Sequence, residues 1–81
     1  LRHSLQKVLW NTIELANQGK QVHWNVRGPL FKSVHEQLDE IVATARDLSD
    51  EIAERIVTLG PAVDGRTSQV ALQTTLPPLP D

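Results

Sequence analysis

The stretch Ser33–Gly60, SVHEQLDEIVATARDLSDEIAERIVTLG, decides how this chain folds. Its apolar residues Val34, Leu38, Ile41, Val42, Ala45, Leu48, Ile52, Ile56 and Leu59 recur at three-and-four spacing, the period of an amphipathic helix. The spacing predicts a helix over about 31–59 that begins between Leu30 and Val34 and stops at Gly60-Pro61. Ser33 followed by Glu36 matches a capping box at its start. On this helix His35 and Asp39 are four residues apart, and so are Asp50 and Glu54. Each pair therefore shares a face and can chelate one cation. The eleven residues between Asp39 and Asp50 turn the helix to within about 20° of whole turns. All four side chains lie along one stripe, which borders the apolar one and is expected to be partly buried.

Working outward, Leu5, Val8, Leu9, Thr12, Leu15, Ala16, Gly19, Val22 and Val26 predict an earlier amphipathic helix over about 1–26. Gly19 lies on its apolar stripe, where a missing side chain lets a neighbouring helix come close. Arg27-Gly28-Pro29 ends it, with glycine past the last turn and proline behind. A short connection makes the two helices an antiparallel αα-hairpin. From 60 to 81 the composition changes: Asp64-Gly65 reads as a turn, Thr67 to about Gln73 as a short capped helix, and Leu76-Pro77-Pro78-Leu79-Pro80 as non-helical. This segment reads as a connection leading onward. There is no internal repeat, P-loop, dinucleotide glycine pattern or nucleophile elbow.

The chain has 81 residues, no cysteine and no methionine, and opens inside a helix, so it is expected to be part of a longer polypeptide. A core of this size is marginal without a disulfide, a metal or a partner subunit. The absence of cysteine excludes a thiol nucleophile and zinc-ribbon spacing, and suits a reducing cytoplasm. No apolar run approaches the roughly 20 residues that span a bilayer, so no membrane partner is expected. A net charge of −2 argues against a strong electrostatic nucleic-acid binder. The charge is uneven: residues 1–32 carry five bases and one acid, whereas Ser33–Leu59 carries seven acids and two bases.

A distance then limits how the stripe works. At 1.5 Å per residue Asp39 and Asp50 stand about 16.5 Å apart along the axis, while oxygen and nitrogen ligands sit roughly 2.0–2.2 Å from a metal. One chain cannot bring both pairs to one ion. The pairings of 35 with 54 and of 39 with 50 share one midpoint, between Thr44 and Ala45. A two-fold axis crossing an antiparallel helix pair there sets Asp39 opposite Asp50 of a second copy, and His35 opposite its Glu54. Closed two-fold dimers are the commonest assemblies, and Ala43 keeps the bulk near the axis small. Buried carboxylates left uncompensated cost several kcal/mol each, a cost that cations offset. Carboxylate with imidazole and no thiolate suits iron, manganese or zinc. His23, on the apolar stripe of the first helix, could complete the ligand set.

The run Lys20-Gln21-Val22-His23-Trp24-Asn25-Val26, followed by Gly28-Pro29, Phe31, His35-Glu36-x-x-Asp39, Asp50-Glu51-x-x-Glu54-Arg55 and Leu59-Gly60, resembles the Dps family. These are the ferritin-like "DNA-binding proteins from starved cells", and the tail from Asp64 is similar to that of actinobacterial members. The resemblance implies an all-α, ferritin-like four-helix bundle subunit, of which residues 1–81 are the first hairpin and the following connection. It also implies that His23, His35 and Asp39 of one subunit, with Asp50 and Glu54 of its two-fold mate, bind iron, singly or as a pair. That iron is oxidised mainly by hydrogen peroxide and stored as ferric mineral inside a dodecameric, cytoplasmic shell that protects DNA. Trp24 would stand beside the iron and absorb stray oxidising equivalents, while Glu36, Glu40, Asp47 and Glu51 would line the cavity and nucleate mineral. The larger ferritins differ, using Glu-x-x-His pairs within one bundle, and no such pair occurs here.

Plainer readings stand beside these. His23 alone would be a satisfied core histidine, His35 and Asp39 alone a local helix pair, and the four glutamates and aspartates of the outer face a solvated surface. Trp10 faces away from the stripe and is expected to pack on a missing helix or another subunit. Arg46, four residues before Asp50, would neutralise the acidic helix. At the level of function, two alternatives stay open. One is a DNA-compacting nucleoid protein with a secondary metal site, binding DNA through basic terminal tails not present in these residues. The other is a non-enzymatic helical interaction module.

Overall fold

The computed structural model describes residues 2–28, 31–60 and 62–80. Within them the chain is all-helical, in the order α1 (Arg2–Asn25), α2 (Phe31–Thr58) and α3 (Thr67–Gln73). Pro29 lies outside the described residues, and the α1–α2 reversal is carried within them by Gly28. Its φ of 104°, like the 110° of Gly60 after α2, is left-handed and suits a residue without Cβ. At the close of α2 the amides of Leu59 and Gly60 donate to the carbonyls of Arg55, Ile56 and Val57, and this satisfies the last turn. Because α2 already begins at Phe31, Ser33 sits inside its first turn, and the capping-box reading of that residue does not describe the observed start.

The α1–α2 interface is built from small and branched side chains. Leu9 and Ala16 of α1 and Val42, Ala45 and Ile56 of α2 are all buried to 3% exposure or less. Gly19 packs tightly on α2: a Cβ there would stand 2.8 Å from Cγ2 of Val42, inside van der Waals contact. Below it, Ser49 Oγ lies 2.9 Å from both Thr12 Oγ1 and the Ala45 carbonyl, so its one proton can serve either. Each apolar stripe is covered only in part. Val8, Leu15 and Val22 on α1 and Val34, Ile41 and Leu48 on α2 are exposed, each set at a spacing of seven. A helix in a two-helix hairpin meets one neighbour, and one neighbour covers a narrower arc than the stripe of about 100° that a bundle helix carries.

The connection turns back and runs beside α1 in the same direction. The Gln6 side chain donates to the Asp64 carbonyl at 2.7 Å and accepts from the Asp64 amide at 3.2 Å. The Trp10 indole N–H donates to the same carbonyl at 2.8 Å. Trp10 therefore packs on this chain's own connection, where a missing helix or another subunit had been expected. Further along, Asn11 accepts from the Thr74 hydroxyl and the Thr75 amide, and Gln18 donates to the Pro77 carbonyl. α3 buries Val70 and starts after Arg66, which gives no side-chain cap.

Candidate metal centre

Three of the five residues singled out by spacing meet at one end of the hairpin. His23 is in the last turn of α1, while His35 and Asp39 occupy successive turns near the start of α2, and antiparallel packing sets these ends side by side. Each of the three offers a ligand atom, and those atoms lie within 4.8 Å of one another. The His23 and His35 ring centroids are 3.5 Å apart, with planes inclined at 36°. His23 Nε2 stands 2.9 Å from Asp39 Oδ1.

His23 is a buried polar residue at 6% exposure, yet neither ring nitrogen makes a well-directed hydrogen bond. The short approach to Asp39 is therefore a contact of two ligand atoms whose N–H direction is off the line between them. A buried polar ring normally finds hydrogen-bond partners, and an imidazole held beside a second imidazole and a carboxylate without them fits the part of a metal ligand. Two imidazoles and one carboxylate form a donor set suited to divalent iron or zinc.

Asp39 is more open, with its side chain 51% exposed. Its carboxyl lies below the ordinary carboxylate value of 3.8: partial desolvation pushes it up and is outweighed by the His23 imidazole and the Lys20 ammonium together. Lys20 Nζ approaches the same oxygen at 3.4 Å. Ligand spacing did not single Lys20 out. The signal was its place three residues before His23, which puts it on the same face of α1.

Asp50 and Glu54 are not part of this cluster. Both are exposed on α2, about 16.5 Å (Asp50) and about 22.5 Å (Glu54) beyond Asp39 along its axis by helical rise. Ala43 is exposed between the two pairs, and no ion pair joins Arg46 to Asp50 among the described residues. Trp24 is 66% exposed, and Glu36, Glu40, Asp47 and Glu51 all face solvent. A groove of about 670 Å³ between Gln21, Val22, Asn25, Val26, Leu79 and Pro80 holds none of the candidate ligands. No described helix is long and apolar enough to cross a membrane.

Comparison with known proteins places the hairpin in a family. A family model described as a ferritin-like domain matches residues 2–78. The chain is 44% identical over 71 residues, 88% of its length, to a "DNA protection during starvation protein" of Mycolicibacterium smegmatis, covering 39% of that protein. It is also 44% identical over 80 residues to the "Fine tangled pili major subunit" of Haemophilus ducreyi, covering 99% of this chain and 42% of that one. Among solved structures, Dps from Microbacterium arborescens in the high iron form superposes with a TM-score of 0.84 at 48% identity, over 88% of this chain and 47% of the other. The chain thus spans about two fifths of the length of these curated relatives. With its helical hairpin, its His-His-Asp cluster and these matches, the chain belongs to the ferritin-like family, within its Dps group.

Proposed function

We propose that this chain supplies the first helical hairpin of an iron-storing ferroxidase subunit. In this reading its five residues His23, His35, Asp39, Asp50 and Glu54 form a site shared by two copies. Fe(II) is the substrate. His23, His35 and Asp39 of one copy take it up, and Asp50 and Glu54 of the two-fold mate close the site from the other side. The observation that carries this reading is the gathering of ligand atoms of His23, His35 and Asp39 within 4.8 Å, around an imidazole buried without a directed hydrogen bond. A purely structural role, such as the name of the Haemophilus ducreyi relative describes, gives no account of that cluster.

Two Fe(II) ions held together pass one electron each to hydrogen peroxide. With two protons the peroxide leaves as two waters, and no free radical is released. Ions of such a pair stand roughly 3.5–4 Å apart, a spacing that carboxylates reaching in from both copies suit. The protein's own part is to bind, to neutralise charge and to fix orientation. Ligand imidazoles must be neutral, so uptake weakens in acid. The ferric product is then stored inside a dodecameric shell in the bacterial cytoplasm, with Glu36, Glu40, Asp47 and Glu51 as the exposed acids that nucleate it and Trp24 as a sink for stray oxidising equivalents. Removal of peroxide and free Fe(II) together protects DNA.

Anaerobic addition of Fe(II) followed by peroxide tests this. Stoichiometric binding and peroxide-dependent oxidation are expected, and Asp50→Asn should lower the oxidation rate at least tenfold. An unchanged rate in that variant, or a protein that takes up no Fe(II), refutes the proposal.

A further inference from the structure

Asp64 and Gly65 form the only aspartyl-glycyl pair of the sequence. Such a pair is chemically labile, because glycine has no side chain to shield its amide nitrogen from the neighbouring carboxyl group. Ring closure between them needs a carboxyl group that takes up a proton and loses water, and a main chain free to turn. Both are restrained here. Asp64 Oδ1 accepts from the Arg66 amide at 3.1 Å and from Arg66 Nε at 3.0 Å, and Oδ2 accepts from Nη2 at 2.9 Å. A guanidinium on both oxygens opposes the protonation that loss of water requires. The bond from the Arg66 amide closes a turn that directs the carboxylate past Gly65 to residue 66. The main chain is held as well, since the Gln6 side chain bonds both the carbonyl and the amide of Asp64, and the Trp10 indole donates to the same carbonyl. Gly65 lies against α1, where a Cβ on it would stand 3.2 Å from Ile13 Cδ1.

We propose that Asp64-Gly65 is a latent modification site, at which succinimide and then isoaspartate form, held shut by Arg66 and α1 while the connection is docked and opened when the connection lifts. In the opened chain the Gly65 amide nitrogen attacks Asp64 Cγ. A C–N bond forms, and the proton of that nitrogen leaves with the carboxyl hydroxyl as water. A second water then reopens the ring. Where it attacks the former main-chain carbonyl, the bond from that carbon to nitrogen breaks and the chain runs through Cβ and Cγ. The net change is an isomerisation, with no oxidant, reductant or cofactor. The carbonyl that accepted from Gln6 and Trp10 becomes part of a free carboxylate, on a main chain longer by a methylene. The clasp cannot reform as it was, so the isomerised connection opens more readily. This inference is independent of the metal-site reading.

The test is the rate at which isoaspartate builds up at residue 64 of the 81-residue chain at neutral pH and physiological temperature. It is read after proteolysis as a peptide of unchanged mass and altered retention that accepts a methyl group from protein isoaspartyl methyltransferase. Folded wild type, Arg66→Gln, Arg66→Lys and Gln6→Met are compared with the wild-type chain unfolded in guanidinium chloride, and circular dichroism follows helix content. The Arg66 side chain is 74% exposed, so its replacement leaves the fold in place. We expect folded wild type to react about tenfold more slowly than the unfolded chain, because reaction passes through the opened connection. Arg66→Gln should react about twofold to threefold faster than wild type, as an exposed pair allows, with Arg66→Lys between them. Gln6→Met loses both side-chain bonds to the Asp64 main chain and should react about fivefold faster than wild type. The proposal is overturned by an unfolded chain that forms no isoaspartate at residue 64, by folded wild type that reacts as fast as the unfolded chain, or by an Arg66→Gln rate equal to that of wild type.

Discussion

The two ends of α2 carry matched chemistry and have different fates. Near its start, His35 and Asp39 meet His23 and Lys20 of α1 and form a close cluster. Near its end, Asp50 and Glu54 repeat the spacing of four on the same stripe and face solvent. Helix periodicity treats the pairs alike. What separates them is the neighbour: at one end of the hairpin His23 and Lys20 of α1 reach the pair, while at the other Gln6 and Trp10 are engaged with the connection at Asp64 and no ion pair reaches Asp50 or Glu54 among the described residues. A ligand pair becomes a site only where a second element brings donors to it.

The largest effect expected from this contrast is a complementation. Asp39→Asn and Asp50→Asn, each alone, should lose most ferroxidase activity. Mixed and reassociated in equal amounts, they should recover about a quarter of wild-type sites, because half the two-fold pairs are mixed and each mixed pair regenerates one intact site of two. Activity that stays at the level of the single variants after subunit exchange would break the idea that the ends of α2 serve one site together. Peroxide-dependent Fe(II) oxidation is the measurement.

A smaller effect concerns what sets the ends side by side. Gly19→Ala drives a Cβ into Val42 Cγ2, and overpacking of this kind costs about 1–3 kcal/mol. The gain in helix propensity, about 1 kcal/mol, offsets part of it. Chemical denaturation should show a net loss on the order of 1 kcal/mol, and Val42→Ala in the same chain should cancel part of it. Additive losses in the double variant would show that Gly19 and Val42 do not pack together.

On the other flank of α1, Asn11→Ala removes the acceptor of the Thr74 hydroxyl and the Thr75 amide. The expected loss is about 1–2 kcal/mol of local stability, read as faster hydrogen exchange at the Thr75 amide with the exchange of α2 unchanged. The smallest effect is electrostatic. The Arg66 side chain and amide hold the Asp64 carboxyl below the ordinary 3.8, so this pair stabilises the fold above that pH and ceases to do so as pH falls through the lowered value. Arg66→Gln should therefore lower stability slightly near neutrality, where an exposed pair contributes little, leave it unchanged below the lowered pKa, and so flatten the acid limb of a stability–pH curve.

Much of the architecture was legible because helix signals are local. Two apolar stripes with period 3.6, the breakers Gly28 and Gly60, and the small residue at Gly19 each act within a few residues of chain. Thr67 to Gln73 was readable for the same reason, as a short turn-bounded run ahead of prolines. Other features were not. Ser33 looked like a cap, yet α2 begins two residues before it. Trp10 looked like a contact for something absent, yet its indole N–H ends on the Asp64 carbonyl. That bond, like those of Gln6, Asn11 and Gln18, joins residues more than fifty positions apart, and backbone acceptors carry no mark in the sequence.

For the candidate metal centre, residue types and helical phase were enough by themselves to put His35, Asp39, Asp50 and Glu54 on one stripe, and to show that a rigid rod of 1.5 Å per residue cannot fold that stripe onto one ion. Only the tertiary structure decided which of them gains His23 as a neighbour, that its ring is buried without a directed hydrogen bond, and that Lys20 reaches the same carboxylate oxygen. The reason is physical. Phase along a helix follows from the chain's own geometry, whereas the distance between side chains on two helices follows from how closely they pack, and here a missing Cβ at Gly19 leaves the space that Val42 fills.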